Sequence, residues 1–177
     1  MLYSLASVPS LPESSMPSDL VRAATPADAA TIVTLIQELA IYENEPLSSV
    51  KITEADVLRD GFGERPRFEA LLAGKNGSTD GLALFFHNYS TWEGRSGIYL
   101  EDLFVRESAR GQGLGRALMK RLAEIALERG CRRLDFWVLH WNPTREFYHR
   151  FGFRHMDKWL PYRMDQAGIA RLAAEQE

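Results

Sequence analysis

The order strand, glycine loop, helix, strand at the centre of the chain limits its fold more than any other feature. The apolar run IYLEDLFV (Ile98 to Val105) is followed by RESARGQGLG, by RALMKRLAEIALER, and after Gly130 by RLDFWVLH. Alternating aliphatic and aromatic residues make the first and last of these strands, the last over about Leu134 to His140. Between them Leu118, Leu122 and Ile125 recur at helical spacing, with Lys120, Arg121, Glu124 and Glu128 on the opposite side. Gly130 ends that helix, because a glycine just past the last periodic residue accepts the left-handed backbone of a cap. The result is a βαβ unit, a crossover in which a helix covers one face of the sheet.

The flanking segments add helices before it and antiparallel strands around it. TPAD (Thr25 to Asp28) offers a capping hydroxyl, a proline at the first helical position and an acid that can reach back. A helix with Ile32, Leu35, Ile36 and Leu39 on one face follows, to about Tyr42 and Glu43. TEAD (Thr53 to Asp56) repeats the signal for a shorter helix that DGFGERP stops near Gly61. RFEALLA and GLALFFHNY flank Asn76-Gly77, a pair that favours positive φ and hence a hairpin. Asn142 is placed to cap a short helix with Pro143 at its start and Gly152 past its end. A last strand around Pro161 to Met164 and a short terminal helix complete the reading.

Composition sets the class. The 177 residues, 45% hydrophobic and 25% charged, suit one soluble α/β domain over residues 20–177. Residues 1–19 read as a flexible extension, since prolines interrupt their apolar stretch and no basic segment precedes it. No run reaches the length of a membrane span, and a net charge of −3 disfavours a general nucleic-acid binder. Cys131 is the only cysteine, which excludes an internal disulfide, points to the reducing cytoplasm, and reads as packing rather than acyl transfer. His87, His140, His149 and His155 lack metal-ligand spacing, so no metal is expected, and no G-x-S-x-G nucleophile elbow is present.

RGQGLG, Arg110 to Gly115, spends conformational entropy on three glycines. Its N–H groups and the positive end of the following helix suit an anion such as a pyrophosphate. A Walker A loop is excluded, because Arg116-Ala117 follows where Lys-Ser/Thr is needed. A dinucleotide loop fits poorly: the spacing is G-x-G-x-G, five residues separate Val105 from Gly111, and Asp135 opens the second strand instead of closing it. By its own spacing the loop also allows a glycine-rich helix entry with no ligand.

Further motifs carry a resemblance. R-G-x-G-L-G between an acidic-apolar strand and an amphipathic helix resembles the acyl-CoA pyrophosphate loop of the GNAT superfamily of N-acetyltransferases. LIQELAIYE (35–43), DGFGE (60–64), YLEDLFV (99–105), WN (141–142) and FY (147–148) resemble, in order and nearly in spacing, the branch that acetylates spermidine and spermine. The resemblance covers Val21 to Met164 and extends to thialysine-type enzymes. It implies a mixed, mostly antiparallel sheet flanked by helices and split between strands 98–105 and 134–140. Acetyl-CoA is the implied co-substrate and a homodimer the implied form.

Site roles follow from the same resemblance. Backbone groups of Leu103, Phe104 and Val105 would bind the pantetheine arm, Arg110, Gly111, Gln112, Gly113, Leu114 and Gly115 the pyrophosphate, and Asn142 a further part of the cofactor. Asn142 departs from the pattern, since five residues separate it from Tyr148 and the family has one more. Glu101 is the implied base, acting through water, Asp102 holds the cation, and Tyr148 protonates the departing thiolate. Strict alternation along a strand sends Glu101 and Asp102 to opposite faces, so a bulge must intervene for both to reach one pocket. Tyr42, Glu43 and Asp157 join the substrate side, with Trp92 and Trp141 as aromatic edges of an acidic slot, while Glu45 and Asp60 read as solvated. The expected reaction is direct acetyl transfer to the primary amine of a small cationic substrate of diamine or polyamine type. Alternatives are a thialysine, amino-acid or peptide amine, or an acyl-CoA-binding regulatory module without turnover.

Overall fold

The computed structural model describes residues 20–175. Two compact units form, one up to Trp137 and the other from Val138. The first holds a five-stranded sheet in the order β1 (Val21–Ala23), β2 (Glu69–Ala73), β3 (Gly81–Ser90), β4 (Arg95–Val105) and β5 (Leu134–Asp135). All neighbours are antiparallel except β4 and β5, which close the βαβ unit in parallel.

Helices cover both faces. α1 (Ala29–Tyr42) and α2 (Glu54–Phe62) pack on one face, where Ile32, Leu35 and Leu39 meet Val57, Leu72, Leu82, Leu84 and Phe104. Strand alternation sends Leu71, Ala83 and Phe85 to the other face, where α3 (Leu114–Glu128) packs through Leu118, Leu122 and Ile125. Burying each such aliphatic side chain contributes about 1.5–3 kcal/mol.

The helix entries follow the sequence signals closely. The Asp28 carboxylate accepts from the Thr25 N–H and hydroxyl, each at 2.8 Å, and closes a tight turn ahead of α1. Thr53 and Asp56 cap α2 reciprocally, with Thr53 N–H donating at 3.0 Å and Asp56 N–H returning at 3.2 Å. Asn76 and Gly77 take φ of 52° and 82°, as the hairpin between β2 and β3 requires.

Two boundaries move here. α2 runs through Gly61 to Phe62 and stops at Gly63, where a side chain would collide with the Arg59 carbonyl. β5 is two residues long instead of seven, pairing Leu134 and Asp135 with Ile98 and Tyr99. Two residues further on β4 is bulged at Glu101, and a bulge bends its strand and interrupts a regular ladder. The sheet is therefore open on that side of β4, and beyond Tyr99 no strand among the described residues pairs there.

The second unit contains α4 (Arg145–Arg150) and α5 (Gln166–Ala174). No strand forms around Pro161 to Met164; Pro161 lacks the N–H for a ladder, and Leu160 and Tyr162 lie exposed. α4 starts later than expected. Asn142 Oδ1 accepts from Thr144 N–H at 2.9 Å and from its hydroxyl at 2.7 Å, so the asparagine closes a turn before the helix instead of capping it.

Candidate active site

The register of β3 and β4 assembles the first part of the site. Leu84 pairs with Asp102 and Phe85 with Leu100, which leaves Glu101 as the extra residue of a β-bulge. Directly paired residues share a face, so Leu100 follows Phe85 toward α3 while Asp102 follows Leu84 onto the face covered by α1 and α2. The bulge thus supplies the break in alternation that Glu101 and Asp102 need to serve one pocket. Glu101 is exposed and Asp102 half-buried.

Glu43 joins them from the residue after α1. Burial pushes the Asp102 carboxyl up to about 7, and the negative charges of Glu101 and Glu43 add to the rise. Glu43 is raised as well, first by burial and then by Glu45. A strand bulge and a helix end therefore bring together three acids that are 58 residues apart in the chain, from Glu43 to Glu101. Such a corner attracts a small cation and weakens an ordinary carboxylate's hold on its charge.

Tyr42 links this corner to the glycine loop. Its ring lies 6.5 Å from that of Phe104, and the Arg110 guanidinium sits 4.5 Å from its centroid. Arg110 Nε donates to the Val105 carbonyl at 3.0 Å. Leu103 and Val105 are half-buried, and Phe104 faces the α1 core.

The loop itself fits a phosphate. Gly111 and Gly113 have φ of 74° and 87°, in the region that penalises other residues. A side chain at Gly111 would meet no atom within 4 Å, so its backbone faces open space. Gly113 precedes α3, its carbonyl accepts first from Ala117 N–H, and Leu114 and Gly115 form the helix's first turn, where N–H groups lack intrahelical partners. Gln112 Nε2 donates to the Ser108 carbonyl at 3.3 Å.

In the second unit Tyr148 is buried on α4 at 9% exposure, in edge contact with Phe147 at 5.4 Å and Phe153 at 6.2 Å. Asn142 is buried and Trp141 and Asp157 are exposed.

Two expectations change. Trp92 does not edge the acidic corner; it lies 89% exposed on the β3–β4 turn, about 20 Å along the strand from Glu101 at the usual rise per residue. Asp60 is held by Arg59 instead of being simply solvated. Arg106 escaped the reading of the sequence altogether. Its guanidinium grips Glu38 of α1 at 2.8 and 2.9 Å and the Thr79 carbonyl at 3.0 Å, tying helix, hairpin and loop together across 68 residues. No local pattern signals so distant a pair.

Comparison with known proteins agrees with this fold. Residues 35–153 match the model of the acetyltransferase (GNAT) family. The chain is 37% identical to a thialysine N-epsilon-acetyltransferase of Sus scrofa, over 90% of this chain and 100% of that one. It is also 37% identical to the spermidine/spermine N(1)-acetyltransferase-like protein 1 of Homo sapiens, over 93% of this chain and 25% of that protein. An integron cassette protein from the mobile metagenome of V. cholerae superposes with a TM-score of 0.72 at 28% identity, over 88% of this chain and 97% of that one. A family match that runs through α1, the bulged strand, the glycine loop and Tyr148 leaves one conclusion: the chain belongs to the GNAT family and is an acetyl-CoA-dependent N-acetyltransferase.

Proposed function

We propose that the chain acetylates a terminal primary amine of a small aliphatic cation, of polyamine or thialysine type, at the corner formed by Glu43, Glu101 and Asp102. The gathering of these acids beside Tyr42 carries the proposal. The names of the relatives support both substrate types, and the thialysine enzymes match along their full length.

Acetyl-CoA supplies the activated acyl group. The backbone of Leu103, Phe104 and Val105 on the open side of β4 and the RGQGLG loop would hold it, and Asn142 stays in the proposal through the resemblance alone. The arriving amine is an ammonium and has no lone pair until a proton leaves. Its ordinary pKa is near 10.4, so transfer to an unshifted carboxylate would cost roughly 9 kcal/mol, and transfer to a group near 7 roughly 5 kcal/mol. Asp102 is therefore the better acceptor, while Glu101 and Glu43 hold the cation; this exchanges the roles that the resemblance gives the pair. Tyr148 would give its phenolic proton to the departing CoA thiolate, which leaves as the thiol, and Asp157 would contribute further negative charge to the substrate side. One domain is proposed, since the family match crosses from the first compact unit into the second. A cytoplasmic homodimer, acting on neither nucleic acid nor membrane, belongs to the same reading.

The decisive experiment measures thiol release from acetyl-CoA with spermidine, spermine, putrescine, thialysine, lysine and a peptide amine. Turnover confined to the small aliphatic cations is the expected result. Turnover with the peptide alone, or CoA binding without turnover on any amine, would remove the proposal in favour of a peptide acetyltransferase or a regulatory module.

A further inference from the structure

One side chain touches both halves of the proposed site. Arg110 opens the glycine loop, yet its Nε is bonded to the Val105 carbonyl at 3.0 Å and its guanidinium lies 4.5 Å from the Tyr42 ring centroid. In the reading above, that carbonyl belongs to the pantetheine arm and that ring to the amine. Both groups are thus engaged by an arginine whose own proposed ligand is a phosphate. Each face of the ring offers one site of negative potential, and an amine arriving on the face that Arg110 covers would be repelled by it.

We infer that Arg110 is a latch between the two substrate sites: the phosphates of acetyl-CoA draw its guanidinium off Tyr42 and Val105, which frees the ring for the amine and the carbonyl for the cofactor. The inference rests on the proposed positions of the two ligands. Chemistry favours the exchange, because charge-assisted, forked bonds to a phosphate are stronger than one bond to a neutral carbonyl plus an exposed stacking contact. The movement needs no repacking. Arg110 is exposed, and Gly111 beside it faces open space.

The latch predicts an effect of unusual sign. Tyr42 stands on the amine side, yet its removal should tighten CoA, since Arg110 no longer has to leave the ring. CoA affinity is measured by calorimetry for the wild type, Tyr42→Leu, Tyr42→Phe, Arg110→Gln and the Tyr42→Leu/Arg110→Gln pair, with no amine present. Tyr42→Leu should bind CoA about two- to fivefold more tightly, Tyr42→Phe should match the wild type, and Tyr42→Leu should have no effect in the Arg110→Gln background. Weaker or unchanged CoA binding in Tyr42→Leu overturns the latch, as does tightening that persists without Arg110. A second titration, of spermidine with and without saturating CoA, should show CoA tightening spermidine in the wild type but not in Arg110→Gln. If the wild type bound CoA but no cationic amine, the amine reading would fall, while the CoA cycle would still decide whether Arg110 is held by Tyr42.

Discussion

Asp102 sits opposite Leu84 and two positions before Phe104, in the company of core side chains and with two acids near it. Those surroundings oppose its ionisation, and catalysis and stability then respond to pH in opposite directions. kcat/KM should climb through about pH 7 as Asp102 loses its proton and becomes able to accept another. Asp102→Asn should remove that limb and lower kcat by about a hundredfold or more, with activity recovering toward high pH as the amine deprotonates unaided. Stability runs the other way. The folded value lies above the unfolded value, so the contribution is fully present below about pH 4 and is lost as pH rises through about 7. Denaturant titrations should find wild-type stability falling over that range by up to about 1.4 kcal/mol for each unit of the raise, and the Asn variant falling less. If both proteins share one pH profile for rate and for stability, Asp102 is not the proton acceptor. Asp102 could be singled out in the sequence from YLEDLFV, but its raised pKa comes first from burial, then from Glu101 and Glu43, and neither the burial nor the approach of Glu43 is written in local sequence.

At the scale of elements, the glycine loop and the bulge have different standing. Gly111 and Gly113 need positive φ, and that requirement is written in the glycines themselves. Gly111→Ala should cost only about 1–2 kcal/mol of stability, since the new methyl meets no neighbour, yet it should raise KM for acetyl-CoA at least about tenfold by filling the space proposed for the phosphate. Gly74→Ala is the matching control, because its methyl would collide with the Ser78 carbonyl in the hairpin loop. It should lower Tm more and leave KM unchanged, and a KM that follows Tm in both variants would mean that the loop acts only through the fold. TPAD, TEAD and Asn76-Gly77 were legible for the same reason as the loop: each satisfies its hydrogen bonds or dihedrals within a few residues. The bulge at Glu101 was foreseen as a need and not as a fact, since only pairing with β3 reveals which residue is extra. The failed strand at 161–164 shows the converse, a short run whose composition suggested a strand but which joins no sheet ladder among the described residues.

Over the whole molecule, charge makes a prediction that no single residue makes. A net charge of −3, with an acidic corner at the site, should steer polycations toward it. Raising ionic strength from about 0.01 to 0.15 M shortens screening from about 30 to 8 Å, so kcat/KM should fall several-fold for spermidine and less for a substrate of single positive charge. Equal salt dependence for both would count against electrostatic capture. The sequence by itself determined the class of fold, and it singled out the glycine loop proposed for the phosphates and the acids proposed for the amine, because periodicity, glycine φ preferences and short motifs are local properties of a chain. Only the tertiary structure decided that Glu43 reaches Asp102, that Arg106 holds Glu38, and that Arg110 leans on Tyr42. These contacts depend on strand register and on how α1 lies over β4, which many distant side chains fix together and no short stretch encodes.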